Sequence, residues 1–174
     1  AAPAATAAKS GHGWGGFVEF LGNPGFVLVS AVTMSVFFVR SASLNQIVPL
    51  LANDRFSATA GQIGLALTMS GMVNLVTLQI AGRVSDRFGR KLVMVPGCLM
   101  MAAFTVLLAS TQNYGFLLFT CVFSGIGMGM TATSAAAYVT DIVPRESYSR
   151  AISVYRTIGD AGMVVGPVLL GWLT

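Results

Sequence analysis

The stretch Gly82-Arg83-Val84-Ser85-Asp86-Arg87-Phe88-Gly89-Arg90-Lys91 separates two long apolar runs. Residues 63–81 before it and residues 92–114 after it contain no charged side chain. An α-helix needs about 20 apolar residues to cross a bilayer, so each run is long enough for one span. The basic stretch is therefore predicted to be a tight turn at a membrane surface, on the side where Lys and Arg accumulate.

The composition agrees with a chain that lies largely in lipid. Of its 174 residues, 55% are hydrophobic and 9% are charged, and the mean hydropathy is +0.76. Soluble domains carry roughly 25% charged residues. Only helices and closed β-barrels satisfy all backbone groups in lipid, and these apolar runs do not alternate as barrel strands do. The sequence therefore predicts an all-α membrane protein.

Five apolar segments are predicted to be spans. Residues 1–24, which precede them, are rich in Ala, Gly and Ser and are expected to form a flexible lead with a short amphipathic patch at the interface. The spans are predicted at residues 25–51, 60–81, 92–110, 114–140 and 151–173. Transporters are commonly built from three-helix units, so five spans are expected to be five helices of a six-helix bundle within a larger protein.

The distribution of cations predicts the orientation. Seven of them share one side of the predicted bundle: Lys9, Arg83, Arg87, Arg90, Lys91, Arg145 and Arg150. The other side has Arg55 alone. Because Lys and Arg accumulate in cytoplasmic loops, the N-terminus is predicted to lie inside and the C-terminus outside.

Arg40 is an isolated cation in the first predicted span, followed by Asn45, Gln46 and Pro49. A charge at the bilayer centre costs about 2.5–3.5 kcal/mol on insertion scales, so it needs a cavity or a partner. One interpretation is a broken helix that lines a substrate cavity. The alternative is that Arg40 marks the end of a shorter span and extends to the headgroups.

Arg156 and Asp160 lie four residues apart in the fifth predicted span, on one helical face. Opposite charges at this spacing lower the cost of insertion. Asp160 is a candidate proton or ion carrier whose affinity Arg156 would tune. The alternative is a static pair near the interface.

Gly125 and Gly129 have the small-x-x-x-small spacing of closely packed membrane helices. The run around them resembles part of a nucleotide fingerprint, but it lies within an apolar helix rather than in a strand-to-helix turn. With one histidine, His12, and no acidic cluster in the spans, we expect no metal site, no cofactor and no enzyme activity. The cations flank spans, so nucleic acid is not an expected partner.

The basic stretch resembles the loop signature G-x-L-a-D-r-x-G-r-k of the major facilitator superfamily of secondary transporters, with Val84 and Ser85 as mild departures. Its place between the second and third spans is the one the family uses. Residues 166–171, Gly-Pro-Val-Leu-Leu-Gly, are similar to the family's G-P-x-x-G-G motif, and residues 141–145, Asp-Ile-Val-Pro-Arg, are similar to the loop before that helix.

The resemblance implies alternating access, in which two six-helix bundles rock about a central site. The matching loop residues would latch one conformation: Gly82, Asp86, Arg87, Gly89 and Arg90. Gly166, Pro167 and Gly171 would pack and bend the fifth helix. These motifs identify no ligand-binding residue.

One family motif is missing. The fourth helix of the first half often reads R-x-x-q-G, whereas Cys121 and Ser124 occupy the Arg and Gln positions before Gly125. The difference favours a second-half origin, in which residues 1–24 would link the two halves. A first-half origin is the alternative.

The predicted function is secondary active transport of a small solute, as a symporter or an antiporter. The alternative is a non-transporting scaffold subunit of a larger complex. The expected partners are the lipid bilayer, the other half-bundle or other membrane subunits, and a small-molecule solute. The expected location is a plasma membrane or an organelle inner membrane, with the chloroplast among the candidates.

Overall fold

The computed structural model describes Phe20 and residues 22–173, which are helical apart from short turns. Within these residues the α-helices are α1 (Pro24–Ala42), α2 (Val48–Phe56), α3 (Ala60–Phe88), α4 (Arg90–Ala109), α5 (Tyr114–Ile142) and α6 (Tyr148–Leu173). A π-helical segment, Ser43–Ile47, joins α1 to α2, and a 3-10 turn, Arg145–Ser147, leads into α6. The predicted all-α fold is confirmed. Most of the predicted lead, including all of its amphipathic patch except Phe20, lies outside the described residues.

The first predicted span is one continuous helical rod from Pro24 to Phe56. Its 33 residues extend over about 50 Å. Pro24 occupies the first turn, where its missing N–H costs nothing, and the Asn23 side chain accepts a hydrogen bond from the Gly25 N–H at 3.0 Å. The helix break that belonged to one interpretation of Arg40 does not occur in this rod. The π segment ends just before α2, and Pro49 falls in the first turn of that helix, so the rod is widened rather than broken.

Four helices in the described part of the chain are long and apolar enough to cross a membrane: the Pro24–Phe56 rod, α3, α4 and α5. Helix α6 has 26 residues, which is long enough for a span, but it carries Arg156 and Asp160 and is not one of the four. The fifth span therefore stays a prediction, as does the orientation of the bundle.

The predicted turn at residues 82–91 is much shorter than expected. Helix α3 continues through residues 82–88, and Gly89 alone separates it from α4. The apolar run ends at the edge of the membrane, but the helix does not have to end there. Backbone hydrogen bonds continue the helix until a residue leaves helical geometry. The helix ends at Gly89, whose φ is +102°.

Helix α5 lies at the centre of the bundle and packs on α3, α4 and α1. A Cβ added at Gly125 would lie 2.5 Å from the Ser70 backbone oxygen of α3, and one at Gly129 would also come too close to α3. On another face of α5, a Cβ at Gly127 would lie 3.0 Å from Met101 of α4. Glycine thus lets the backbones of three helices approach closely.

Helix α6 packs on α1 through Gly159, Gly162 and Gly166, which share one face at spacings of three and four residues. A Cβ at Gly166 would lie 2.8 Å from the Phe38 backbone oxygen, and one at Gly162 would collide with the Met34 backbone oxygen. The close contact between α1 and α6 therefore depends on these glycines.

Polar contacts also tie the helices together. At the end of the bundle away from Gly89, Arg55 Nη1 donates to the Thr111 carbonyl at 3.3 Å. Within the bundle, the hydroxyls of Ser70 and Ser124 lie 2.8 Å apart, and both residues are buried. Hydrogen bonds of this kind hold helices together in lipid, where apolar burial between helices gives little driving force.

Candidate functional site

Arg90, the first residue of α4, joins three helix ends on one side of the bundle. Its Nη1 donates to Asp86 Oδ1 near the end of α3, and its Nε donates to Asp141 Oδ2 near the end of α5 at 2.9 Å. Its Nη1 also lies 3.4 Å from Ser85 Oγ. We call these four residues the Arg90 cluster. It contains the ion pairs found in the described part of the chain.

The Arg90 cluster is accessible to water. The Arg90 side chain is 24% exposed, while those of Asp86 and Asp141 are 67% and 51% exposed. Exposed ion pairs contribute about 0.2–1 kcal/mol each. The contacts of the cluster therefore contribute little to the stability of the fold.

Gly89 gives the cluster its geometry. Its backbone, at φ +102° and ψ 150°, lies in a region that is essentially restricted to glycine. Because the turn is one residue long, Asp86 and Arg90 remain within reach across it.

The other predicted latch residues lie outside the Arg90 cluster. The Arg87 guanidinium is 5.6 Å from the Phe88 ring centre, a cation–π contact. Gly82 faces Thr133 of α5, where an added Cβ would still fit at 3.5 Å. Asp141 was not among the predicted latch residues. The signal that could have found it is an acid at a helix end on the cation-rich side.

A cavity of about 180 Å³ lies beside the junction of α1 with the π segment. Its lining comes from α1, the π segment, α3 and α6 and consists of Phe37, Arg40, Ser41, Leu44, Asn45, Leu67 and Met163. Arg40 and Asn45, both predicted from the sequence, share this cavity. The apolar members of the lining had no sequence signal beyond helical hydrophobicity.

Arg40 is the charged residue of this lining. It lies near the middle of the Pro24–Phe56 rod, roughly 24 Å from either end, so neither end of the rod is close to it. Its Nε is buried without a hydrogen-bond partner, and among the described residues Arg40 forms no ion pair. The structure therefore places an uncompensated cation at the cavity wall.

Two polar residues after Arg40 donate hydrogen bonds to backbone carbonyls of α6. Pro167 has no N–H, so the Met163 carbonyl four residues earlier has no donor in its own helix. Ser41 Oγ donates to that carbonyl at 2.8 Å, and Gln46 Nε2 donates to the Pro167 carbonyl at 2.6 Å. Gln46 thus contacts α6 rather than the described cavity, and Gly171 lies beside its amide.

Arg156 and Asp160 are both exposed on α6 and contribute nothing to the described lining of the cavity. The ion pairs of the described residues do not include one between them. The two charges therefore lie on a face of α6 that no described helix covers.

These observations define a polytopic helical membrane protein. Its helices pack closely at glycines, and an arginine of its basic turn pairs with two acidic residues. The chain belongs to the Major Facilitator Superfamily, whose sequence profile matches residues 25–174. The resemblance inferred from the loop and Gly-Pro motifs is confirmed. Family membership makes this a multi-pass integral membrane protein of a transporter family.

Three relatives illustrate the similarity. The multidrug resistance protein MdtH of Aeromonas hydrophila is 32% identical over 120 residues, covering 69% of this chain and 30% of the relative. The bacillibactin exporter of Bacillus subtilis is 30% identical over 145 residues, covering 78% and 36%. The 4-hydroxybenzoate transporter PcaK of Acinetobacter baylyi is 26% identical over 151 residues, covering 84% and 32%. The chain spans about a third of the length of these relatives.

Proposed function

We propose that this chain is part of a secondary active transporter that moves a small solute by alternating access. The observation that carries the proposal is the Arg90 cluster, in which one guanidinium closes the ends of three helices through exposed contacts. Two relatives, one named as an exporter and one as a transporter, support it. No observation favours a non-transporting scaffold.

The packing suggests which parts would move. Contacts at Gly125, Gly129 and Gly166 leave no room for helices to slide past one another. The described helices would therefore move together as a rigid body against a second bundle, with the Arg90 cluster opening and closing at their edge.

We also propose that Asp160 and Arg156 couple transport to a proton or another ion. Both are exposed on α6, so a second bundle or a water-filled cleft could reach them. A carboxylate within a span is costly and typically marks an ion or proton pathway.

Cysteine labelling of the cavity tests alternating access. Leu67 lines the cavity, so Leu67→Cys would place a thiol there. Cys98 and Cys121 are first replaced by serine so that the new cysteine alone is labelled. An impermeant maleimide is applied to the reconstituted protein from each side in turn. Asp86→Asn is expected to change the ratio of the two labelling rates by about two- to fivefold, the effect of losing roughly 0.5–1 kcal/mol of latch.

Asp54→Asn is the matched control, because Asp54 is an exposed acid at the other end of the bundle and accepts a hydrogen bond from its neighbour Asn53. It should leave the labelling ratio unchanged. Flux of 4-hydroxybenzoate under a proton gradient, a probe suggested by one relative, should fall with Asp86→Asn if that solute is carried. Identical labelling ratios for both variants at normal abundance would contradict the proposal.

A further inference from the structure

The cavity beside the π segment carries a positive charge that no described residue balances. Arg40 lines it, its Nε is buried without a partner, and the ion pairs of the described residues lie at Arg90 instead. Removing a guanidinium from water without a counter-charge costs several kcal/mol. An anionic ligand would offset this cost, whereas a cationic ligand would increase it.

The hydrogen-bonding groups still free in the cavity are mainly donors. Ser41 Oγ already donates to the Met163 carbonyl and accepts from Asn45 Nδ2 at 3.1 Å. The Arg40 guanidinium and the second Nδ2 hydrogen of Asn45 remain, together with one amide oxygen. A guanidinium fork matches the two oxygens of a carboxylate.

Arg40 and Asn45 line one cavity across the start of the π segment. Residues five apart in a regular α-helix point about 140° away from each other. The wider turn of Ser43–Ile47 alters this relation, and both side chains line the same cavity. Single π turns within α-helices are frequently found at functional sites.

The rest of the lining limits the ligand's size and character. Phe37, Leu44, Leu67 and Met163 supply an apolar wall. The volume of about 180 Å³ is close to that of a cavity of roughly 150 Å³ that holds benzene. One cation in the lining balances one negative charge, so a monoanion fits better than a phosphate dianion.

We propose that this cavity binds a small organic carboxylate with an apolar body of about one ring. The carboxylate pairs with Arg40 and accepts from Asn45, and the body packs on Phe37 and Leu67. This inference rests on the proposed transport function and names the class of its solute.

Equilibrium dialysis of radiolabelled benzoate against the protein in lipid nanodiscs tests the inference. Benzoate is expected to bind saturably, hexanoate to compete with it, and the neutral isostere benzamide and inorganic phosphate to compete at least about tenfold more weakly. Arg40→Gln should weaken benzoate binding by at least about tenfold. Arg150→Gln, the same change at an exposed cation beyond the cavity, should have no effect.

A second variant separates loss of the site from misfolding. Asn45→Asp places a carboxylate beside Arg40, so it should abolish benzoate binding while the thermal stability of the empty protein is unchanged or raised. The inference is overturned if benzoate does not bind, if benzamide competes as well as hexanoate, or if Arg40→Gln and Arg150→Gln bind alike. Equilibrium dialysis needs neither a gradient nor a conformational change. If benzoate binding depends on Arg40 but Asp86→Asn does not change the labelling ratio, the proposed function is overturned and the binding proposal stands.

Discussion

The Ser41 hydroxyl replaces a hydrogen bond that α6 loses at Pro167, so Ser41→Ala is predicted to cost more stability when that proline is present than when it is absent. Ser41 is 5% exposed and donates to the Met163 carbonyl at 2.8 Å. In a Pro167→Ala background the new N–H at position 167 would supply the missing donor from within the helix.

The expected loss of stability depends on the Met163 carbonyl, which Ser41→Ala leaves without a donor. A buried carbonyl without a donor costs about 1–3 kcal/mol, whereas hydrogen bonds between membrane helices average about 0.6 kcal/mol with a maximum of about 1.7. We expect Ser41→Ala to lower the free energy of unfolding by about 1–1.5 kcal/mol in the native background. In the Pro167→Ala background we expect about 0.5 kcal/mol, which gives a coupling energy of roughly 0.5–1 kcal/mol.

Titration with SDS in mixed micelles, followed by circular dichroism, measures these free energies. Ser35→Ala is the control, because Ser35 is on the same helix but donates to the Ala31 carbonyl of that helix at 2.9 Å. It should show no coupling to Pro167. Equal costs for Ser41→Ala in the two backgrounds would refute the argument that Ser41 compensates for the proline.

Three further predictions concern packing, topology and ion coupling. Gly125→Ala should destabilise the bundle by about 1–3 kcal/mol in the same assay, because its Cβ would lie 2.5 Å from a backbone oxygen. Gly64→Ala is the control and should be neutral or stabilising, because no atom lies within 4 Å of its Cβ. Similar effects of the two substitutions would contradict the packing argument. Cysteines placed at Asn53 and Arg87 should be labelled from opposite sides of the membrane, and labelling of both from one side would overturn the predicted topology. Asp160→Asn should abolish proton-driven flux of 4-hydroxybenzoate but leave its equilibrium exchange intact; retained proton-driven flux would exclude Asp160 as the carrier.

Hydropathy predicted the order of the helices because a span needs a minimum length of apolar residues, and that length leaves a visible run in the sequence. It did not predict where α3 ends. The apolar run stops at Ala81, but α3 continues through the polar residues to Phe88 because backbone hydrogen bonding does not depend on hydropathy. The turn at Gly89 is set by one backbone conformation, which a composition window does not detect.

The candidate site was partly predictable. The loop motif identified Asp86 and Arg90, but not Asp141, which lies 51 residues away from Arg90 in the chain. The energetic cost of a buried charge pointed to a cavity at Arg40. Phe37 and Leu67 were not predicted as lining, because in a membrane protein the lipid-facing and the cavity-facing residues are similarly apolar.

The π segment has a consequence for how members of this family can diverge. Deleting one residue from Ser43–Ile47 would restore a regular α-helix, and the rod after it would keep its orientation, because a π turn accommodates one extra residue. Arg55 would still face Thr111 and the glycine contacts between α1 and α6 would be kept, while a different side chain would replace Asn45 at the cavity. A one-residue gap at this position would therefore change the lining of the cavity and leave the packing of the bundle on either side of it intact.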